Sequence, residues 1–198
     1  MLPIVLDLGR LDAILVGDGP AAEKRLTLLD EAGAARLRVF APMPSADFAR
    51  RAGARMHARL PNDAELATAR IVFISDRDAP DGAAIAARAR ATGAFVHIED
   101  DPDRADFHLP AVLRRGDLAI AVSTGGGSPT LAVRLKRALG ALFGPEWGDH
   151  ADEVARLRRE WRAAGADAAT LHRRTEDWID RQRWLPSPPA HSQFPVDT

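Results

Sequence analysis

The sequence contains no cysteine among its 198 residues, which excludes disulfide bonds and cysteine-ligated metal sites. Its six histidines do not show the spacing of metal ligands. The residues therefore predict no metal ion held by the protein as a resident cofactor.

A strong net charge and long apolar runs are missing as well. The formal net charge is -1, so the chain offers no global basic field for nucleic acid. No apolar run approaches the roughly 20 residues that span a membrane. The N-terminus lacks the basic region, apolar core and cleavage site of a secretory signal. We therefore expect a cytoplasmic protein with neither nucleic-acid nor membrane partners.

A glycine turn near the N-terminus has the context of a dinucleotide-binding fingerprint. Four apolar residues, 13–16, precede a G-x-G-x-x-A pattern, a helical segment over 21–32 and a second strand over 37–41. Gly17 allows the tight turn, Gly19 lets a pyrophosphate approach the backbone, and Ala22 permits close helix contact. Pro20 and Ala21 complete the predicted NAD-binding turn. The alternative is a tight turn between strand and helix that binds nothing.

The second strand ends without the acidic residue that often binds the cofactor ribose. The residues that follow it are Ala41, Pro42 and Met43, and the only nearby arginine, Arg38, lies within the strand. The ribose would then be held by backbone groups or by another loop. These residues leave the choice between NAD and NADP open.

A second glycine-rich loop follows the apolar run 118–122, which is typical of a buried strand. Ser128 and Pro129 form a helix-start signature before an amphipathic segment over 131–142. Unpaired N–H groups and the positive end of a helix favour anion binding here. The predicted substrate-binding residues in this loop are Ser123, Thr124, Gly125, Gly126 and Ser128.

Strands alternate with helical segments, which predicts an α/β, Rossmann-like and mostly parallel sheet with helices on both faces. The expected strands are 4–8, 11–16, 37–41, 55–58, 71–75, 95–99 and 118–122. Ligands of such sheets bind outside the carboxyl ends of the strands. Five loops converge there: 17–21, 41–43, 75–78, 100–101 and 123–128. We expect Ser75 and Asp76, in the third of these loops, to belong to the cofactor site.

The predicted organisation has four parts. Residues 1–113 form the NAD-binding domain, and residues 114–145 carry a strand, the second glycine loop and a helix for dimerisation or substrate binding. Residues 146–185 form a helical C-terminal region, which is a small domain, a dimer arm, or a solvated helix pair on the core. Residues 186–198 have the composition of a disordered tail.

Asp100 and Asp101 follow an apolar strand and face the predicted cofactor crevice. A carboxylate there is well placed for proton transfer. However, Asp-Asp-Pro is also good turn chemistry, and the local residues favour this second interpretation. His97 is interpreted as a core or edge histidine.

Several strings now identify a family. LPIVLDL, ILVGDGPAAEKR, LLDEAGA, VFISDRD and FVHIEDDPDRADFHLPAVLRRGDLAIAVSTGGGSPTLAVRLK run in order from Leu2 to about Lys136. They resemble the precorrin-2 dehydrogenase/sirohydrochlorin ferrochelatase family, the dehydrogenase module of siroheme synthase. The methyltransferase module fused to some members is not in this sequence, so the chain is similar to the standalone form.

The resemblance implies a fold, a reaction and a set of residues. NAD⁺ takes a hydride from precorrin-2, a tetrapyrrole, to give sirohydrochlorin, and some members then insert Fe²⁺. Asp100 is implied as the catalytic base, and residues 17–21 and 41–43 as the cofactor loops. The family also implies a homodimer. Arg114 and Arg115 are expected to pair with substrate carboxylates.

Two other functions remain open from the residues alone. One is a regulatory protein that senses NAD without turnover, and the other is a different NAD-dependent oxidoreductase. A different NAD-dependent oxidoreductase would leave the second glycine loop, 123–128, without an explanation.

Overall fold

The computed structural model describes residues 1–75 and 81–185. Its main sheet has five parallel strands in the order β3-β2-β1-β4-β5. The strands are β1 (Asp12–Val16), β2 (Arg36–Phe40), β3 (Met56–His57), β4 (Ile71–Ile74) and β5 (Phe95–Ile98). The predicted Rossmann-like class is confirmed.

Helices alternate with these strands and continue after them. They are α1 (Gly19–Glu31), α2 (Ala46–Ala52), α3 (Asp63–Thr68), α4 (Gly82–Ala91), α5 (Pro129–Leu142), α6 (Trp147–Ala163) and α7 (Ala168–Gln182). Among the described residues, no helix is both long and apolar enough to cross a membrane.

The core lies on both faces of the sheet, because alternate residues of a strand point to opposite sides. Leu15 of β1 belongs to a cluster with Leu26 and Leu29 of α1. Its neighbour Ile14 belongs to a second cluster with Ile85 of α4. The central strands β1 and β4 are therefore apolar on both faces, as expected for parallel strands covered by helices.

The strand predicted over 118–122 is real, but its place in the parallel sheet was wrong. β7 (Leu118–Val122) pairs antiparallel with β6 (Ala111–Arg115) in a separate two-stranded sheet. The two residues between them, Gly116 and Asp117, form the turn, and Gly116 has a φ of +55°. A two-residue loop joins antiparallel neighbours, whereas a parallel pair needs a long crossover.

The N-terminal edge strand predicted over 4–8 was also wrong. Residues 1–7 are exposed and irregular, and only Leu8 is buried in the core. Pro3 has no N–H to give to a sheet, which does not favour pairing of this segment.

The described chain forms two compact units. The first consists of Met1–Pro110 with Ser123–Ser128, and the second consists of Ala111–Val122 with the described residues from Pro129 onward. The division predicted after residue 113 falls inside β6, whereas the units change at Pro110. The tail predicted over 186–198 lies outside the described residues.

Candidate cofactor and active site

The carboxyl ends of the parallel strands meet at one edge of the sheet. There the N–H of Gly17 donates to the carbonyl of Phe40 at 2.9 Å, and the N–H of Ser75 donates to the carbonyl of Val16 at 2.9 Å. The N–H of Glu99 donates to the carbonyl of Ile74, also at 2.9 Å. β2 pairs with one edge of β1 and β4 pairs with the other, so the order of the strands reverses at β1. Ligands of this architecture usually bind in the crevice at that point.

The first glycine loop has the geometry of a phosphate cradle. Gly17 and Gly19 have φ values of +125° and +79°, which favour glycine. A Cβ at Gly19 would meet nothing within 4 Å, so this face of the turn is open. The residue before α1, Asp18, makes no side-chain cap bond to the helix. The first N–H groups of α1 are thus not occupied by that side chain, and the loop fits a dinucleotide pyrophosphate.

The carboxylate of Asp18 turns instead to the loop after β2. It accepts hydrogen bonds from the N–H of Ser45 at 2.8 Å and from the Ser45 hydroxyl at 3.2 Å. Sequence reasoning missed this link, because Asp18 occupies a variable position of the G-x-G-x-x-A pattern. It joins the first two loops of the crevice.

The predicted cofactor residues after β2 and β4 differ in exposure. Ala41 is buried and its N–H donates to the carbonyl of His57, whereas Pro42 and Met43 are exposed. Ser75 is buried, and its hydroxyl donates to the carbonyl of Val16 at 3.0 Å. Ser75 therefore fixes the edge of the sheet. Asp76 lies outside the described residues.

Asp100 lies two residues after the end of β5, in an unusual conformation. It is exposed and has a φ of +54°, in the left-handed region that Asp tolerates better than most residues. Its neighbour Asp101 caps a short 3₁₀ helix and accepts hydrogen bonds from the Arg104 N–H at 3.2 Å and the Arg104 Nε at 2.5 Å. Asp101 therefore caps the 3₁₀ helix, while Asp100 lies in the turn between β5 and that helix.

A buried ionic cluster supports the residue before Asp100. The guanidinium of Arg25, on α1, contacts the carboxylate of Glu99 and lies 5.8 Å from the ring centre of Phe73. His97 Nε2 lies 3.7 Å from the same carboxylate. His97 and Arg25 together hold the pKa of Glu99 down to about 2, against its partial burial.

This cluster ties the cofactor helix to the Asp100 turn. Arg25 is only 6% exposed, and its Nε has no hydrogen-bond partner within the described part of the chain. Sequence reasoning missed Arg25 and Glu99, because each looks like an ordinary charged residue until the fold brings α1 against β5.

The second glycine loop is braced by its own hydroxyl groups. The Thr124 hydroxyl donates to the carbonyl of Ser128 at 3.0 Å and accepts from its N–H at 3.1 Å. The Ser123 hydroxyl accepts from the N–H of Gly125. Gly125 and Gly126 have φ values of +64° and +88°, and a Cβ on Gly126 would lie 3.3 Å from the His108 ring. The loop is thus a closed turn that precedes α5, whose first residue is Pro129 as predicted.

The two predicted substrate arginines belong to β6. Arg114 is exposed. Arg115 donates to the carbonyls of Phe143 at 2.9 Å and Gly140 at 3.4 Å, near the C-terminal end of α5. Arg115 therefore binds backbone acceptors of its own unit.

Comparison with known families agrees with this geometry. A family model described as "Putative NAD(P)-binding" matches residues 4–111, which is more than half of the chain. The chain belongs to this NAD(P)-binding family. A second model, described as "Sirohaem biosynthesis protein central", matches residues 115–142. The predicted NAD cofactor is thus confirmed at the level of NAD(P) binding, as is the predicted family resemblance.

Relatives of this NAD(P)-binding chain carry siroheme names. It is 34% identical to a siroheme synthase of Methylococcus capsulatus over 165 residues, which are 82% of this chain and 35% of the relative. It is 35% identical to siroheme synthase 2 of Cronobacter sakazakii over 165 residues, or 80% of this chain and 35% of the relative. The chain thus spans about a third of the length of these curated relatives.

A solved structure has the same fold. SirC, a precorrin-2 dehydrogenase, superimposes with a TM-score of 0.73 at 22% identity, covering 93% of this chain and 92% of that one. The match includes the region after the parallel sheet, so the shared fold extends to the second unit.

Proposed function

We propose that this protein oxidises precorrin-2 to sirohydrochlorin with NAD⁺ as the hydride acceptor. One observation carries the proposal: an NAD(P)-binding match over 4–111 is followed in the same chain by a sirohaem-biosynthesis match over 115–142. Asp100 lies shortly before the second match, at the edge where the cofactor loops meet. The names of the relatives and of the structural neighbour support the same reaction.

The first glycine loop would hold the cofactor. The backbone around Gly17, Gly19 and Ala21 would bind the pyrophosphate at the N-terminus of α1. Pro20 contributes no N–H, but its fixed φ starts the helix. When bound, NAD⁺ supplies the hydride acceptor for the reaction.

Asp100 would act as the base. Its carboxylate would take the proton that leaves the macrocycle when the hydride is removed, which completes the oxidation. The turn on which it stands is set by Glu99, which Arg25 and His97 hold in place. The ionic cluster of Arg25, His97 and Glu99 would therefore hold the position of Asp100, whose side chain is exposed to a substrate.

The second glycine loop suits a substrate that carries many carboxylates. Gly125 and Gly126 have positive φ and no side chain, which lets a ligand approach the backbone, and Thr124 keeps the turn closed. We assign carboxylate binding to Ser123, Thr124, Gly125, Gly126 and Ser128 of this loop. Arg114 and Arg115 stay sequence predictions for the same role, with Arg115 already bonded to α5 carbonyls.

Three further proposals complete this function. Fe²⁺ would be a second substrate, inserted into sirohydrochlorin with Asp100 accepting pyrrole protons. The protein would be a homodimer, because Leu131 and Leu135 of α5 are 48% and 44% exposed. It would act in the cytoplasm, as its charge and composition predict.

Anaerobic incubation with precorrin-2 and NAD⁺ tests the reaction. The expected result is the growth of sirohydrochlorin absorbance together with stoichiometric NADH. NAD⁺ binding without any turnover would reject the dehydrogenase and favour the sensing protein. Faster Fe²⁺ uptake by sirohydrochlorin than in buffer tests chelation separately.

A further inference from the structure

The end of β2 lacks the acidic hydrogen-bond acceptor that is typical of a dinucleotide site. In this architecture an acidic residue at the end of the second strand binds the 2′-hydroxyl of the adenosine ribose. Here β2 ends at Phe40 and leads into Ala41, Pro42 and Met43, none of which carries a charge. Cofactor choice must therefore depend on some other group near this strand end.

Asp18 brings a carboxylate to that position from the neighbouring loop. Its two oxygens accept hydrogen bonds from the N–H and the hydroxyl of Ser45, in the loop that follows β2. The Ser45 hydroxyl in turn accepts from the N–H of Phe48 at the start of α2. The side chain is thus fixed between the two cofactor loops, and each oxygen keeps a second lone pair.

The arginines around β2 are engaged elsewhere. Arg38 donates to the Glu65 carbonyl at 3.1 Å and to the Thr68 hydroxyl at 2.8 Å. Arg59 forms a two-pronged ion pair with the Glu65 carboxylate at 2.7 Å. Both guanidiniums are thus bonded to α3. That of Arg59 also lies 5.4 Å from the ring centre of Phe40, the last residue of β2, but its Glu65 ion pair already neutralises it.

We propose that Asp18 is the residue that selects NAD⁺ over NADP⁺. Its carboxylate accepts a hydrogen bond from a ribose hydroxyl of NAD⁺ and repels the 2′-phosphate of NADP⁺. The charge normally supplied by the second strand comes here from the middle of the glycine turn. The inference rests on the dinucleotide binding in the proposed function, but not on precorrin-2 as the substrate.

Nucleotide titrations without any tetrapyrrole test this selection. Isothermal titration calorimetry gives the dissociation constants of NAD⁺ and NADP⁺ for the wild type and for Asp18→Asn, whose amide oxygen can still accept from the Ser45 N–H. We expect the wild type to favour NAD⁺. In Asp18→Asn the preference should fall at least about tenfold, mainly through tighter NADP⁺ binding, because a like-charge repulsion is removed.

Two control variants separate charge from loop structure. Glu31→Gln removes the same charge at the opposite, exposed end of α1 and should leave both affinities unchanged. Ser45→Ala keeps the carboxylate but loses one anchor, so it should largely retain the preference for NAD⁺. Circular dichroism confirms that each variant is folded before titration.

The outcomes are distinct. Equal wild-type affinities for the two nucleotides, or an unchanged preference in Asp18→Asn, overturn the role of Asp18 and leave the proposed dehydrogenase intact. An equal loss of preference in Ser45→Ala and Asp18→Asn assigns selection to the shape of the loop and also overturns it. Failure of the wild type to bind either nucleotide overturns both this inference and the proposed function.

Discussion

At the scale of single residues, the most consequential group is the partly buried carboxylate of Glu99. This carboxylate neutralises Arg25, which is almost fully buried. Glu99 also directly precedes Asp100, whose backbone is in the left-handed region. Removing one member of such a pair leaves an uncompensated charge, which is more damaging than the net value of the pair itself.

Glu99→Gln should lower the free energy of unfolding at pH 7 by about 2–3 kcal/mol. The lowered pKa of Glu99 means that its stabilisation is complete above its ordinary pKa of 4.5 and is lost as pH falls toward about 2. The gap between wild type and variant should therefore narrow below about pH 5. Urea unfolding at several pH values measures it, and a gap that does not change with pH would contradict this account. Glu153→Gln, on exposed α6, is the control.

Asp100 and Asp101 should separate chemistry from stability. Asp100→Asn should lower precorrin-2 oxidation by about 10²–10⁴-fold while NAD⁺ affinity changes little. Asp101→Ala removes the cap of the 3₁₀ helix and should cost about 1 kcal/mol of stability with a smaller loss of rate. Turnover, calorimetric titration and thermal unfolding of both variants check this. A larger rate loss in Asp101→Ala would exchange the two roles.

Two glycines at opposite ends of α1 form a matched pair. Gly19 and Gly33 both have positive φ, and a Cβ on either meets nothing within 4 Å. Alanine at each should therefore cost a similar strain of about 1–2 kcal/mol. Only Gly19→Ala should weaken NAD⁺ binding, by more than about tenfold, because its methyl group occupies the pyrophosphate cradle. Equal affinities of the two variants would show that the first loop is purely structural.

At the scale of elements, the β6–β7 hairpin depends on a close approach of two glycines. A Cβ on Gly116, in the turn, would lie 3.3 Å from the Cα of Gly148 on α6. Gly116→Ala should therefore destabilise the protein by about 1–3 kcal/mol more than Gly165→Ala, which has a positive φ but open space around it. The difference between the melting temperatures of the two variants separates the cost of the close contact from the cost of backbone strain. Equal shifts would mean that α6 moves aside without penalty.

The dinucleotide half was predictable because its strands are short, apolar and separated by glycine turns and amphipathic helices. The segment 118–122 was assigned to the wrong sheet, because an apolar run does not by itself show which strand it pairs with. The signal was nevertheless present: Gly116 and Asp117 separate two five-residue runs, a spacing typical of a hairpin. The alternating exposure of β7 also differs from the fully buried β4.

The candidate site was predictable only in part, for a similar reason. Glycine spacing marks Gly17 and Gly19 locally, so the turn that they form follows from the sequence, and its role in binding a pyrophosphate stays a prediction. Ion pairs such as Arg25 with Glu99 join residues far apart in the chain, and no local pattern records them. The partners of Asp18 and Arg115 likewise depend on loop geometry that a single sequence does not specify.

At the scale of the whole molecule, the exposed apolar residues of α5 are the observation that supports the proposed homodimer. Leu135 is 44% exposed and Leu142 is 69% exposed. Leu135→Glu should shift the proposed dimer toward monomer, because it would place a charge in the apolar surface that the dimer would bury. Sedimentation equilibrium measures the mass, with Glu153→Gln as a surface control. A wild type that sediments as a monomer would contradict the proposed homodimer.

The order in which the chain visits its two units limits how they can be separated. It passes from the first unit to the second at 110–111, returns at 122–123 and leaves again at 128–129. No single break in the polypeptide therefore releases the whole first unit, since a fragment ending at residue 110 lacks the glycine turn at 123–128. An engineer who wished to move this half onto another scaffold would have to graft two pieces of chain together.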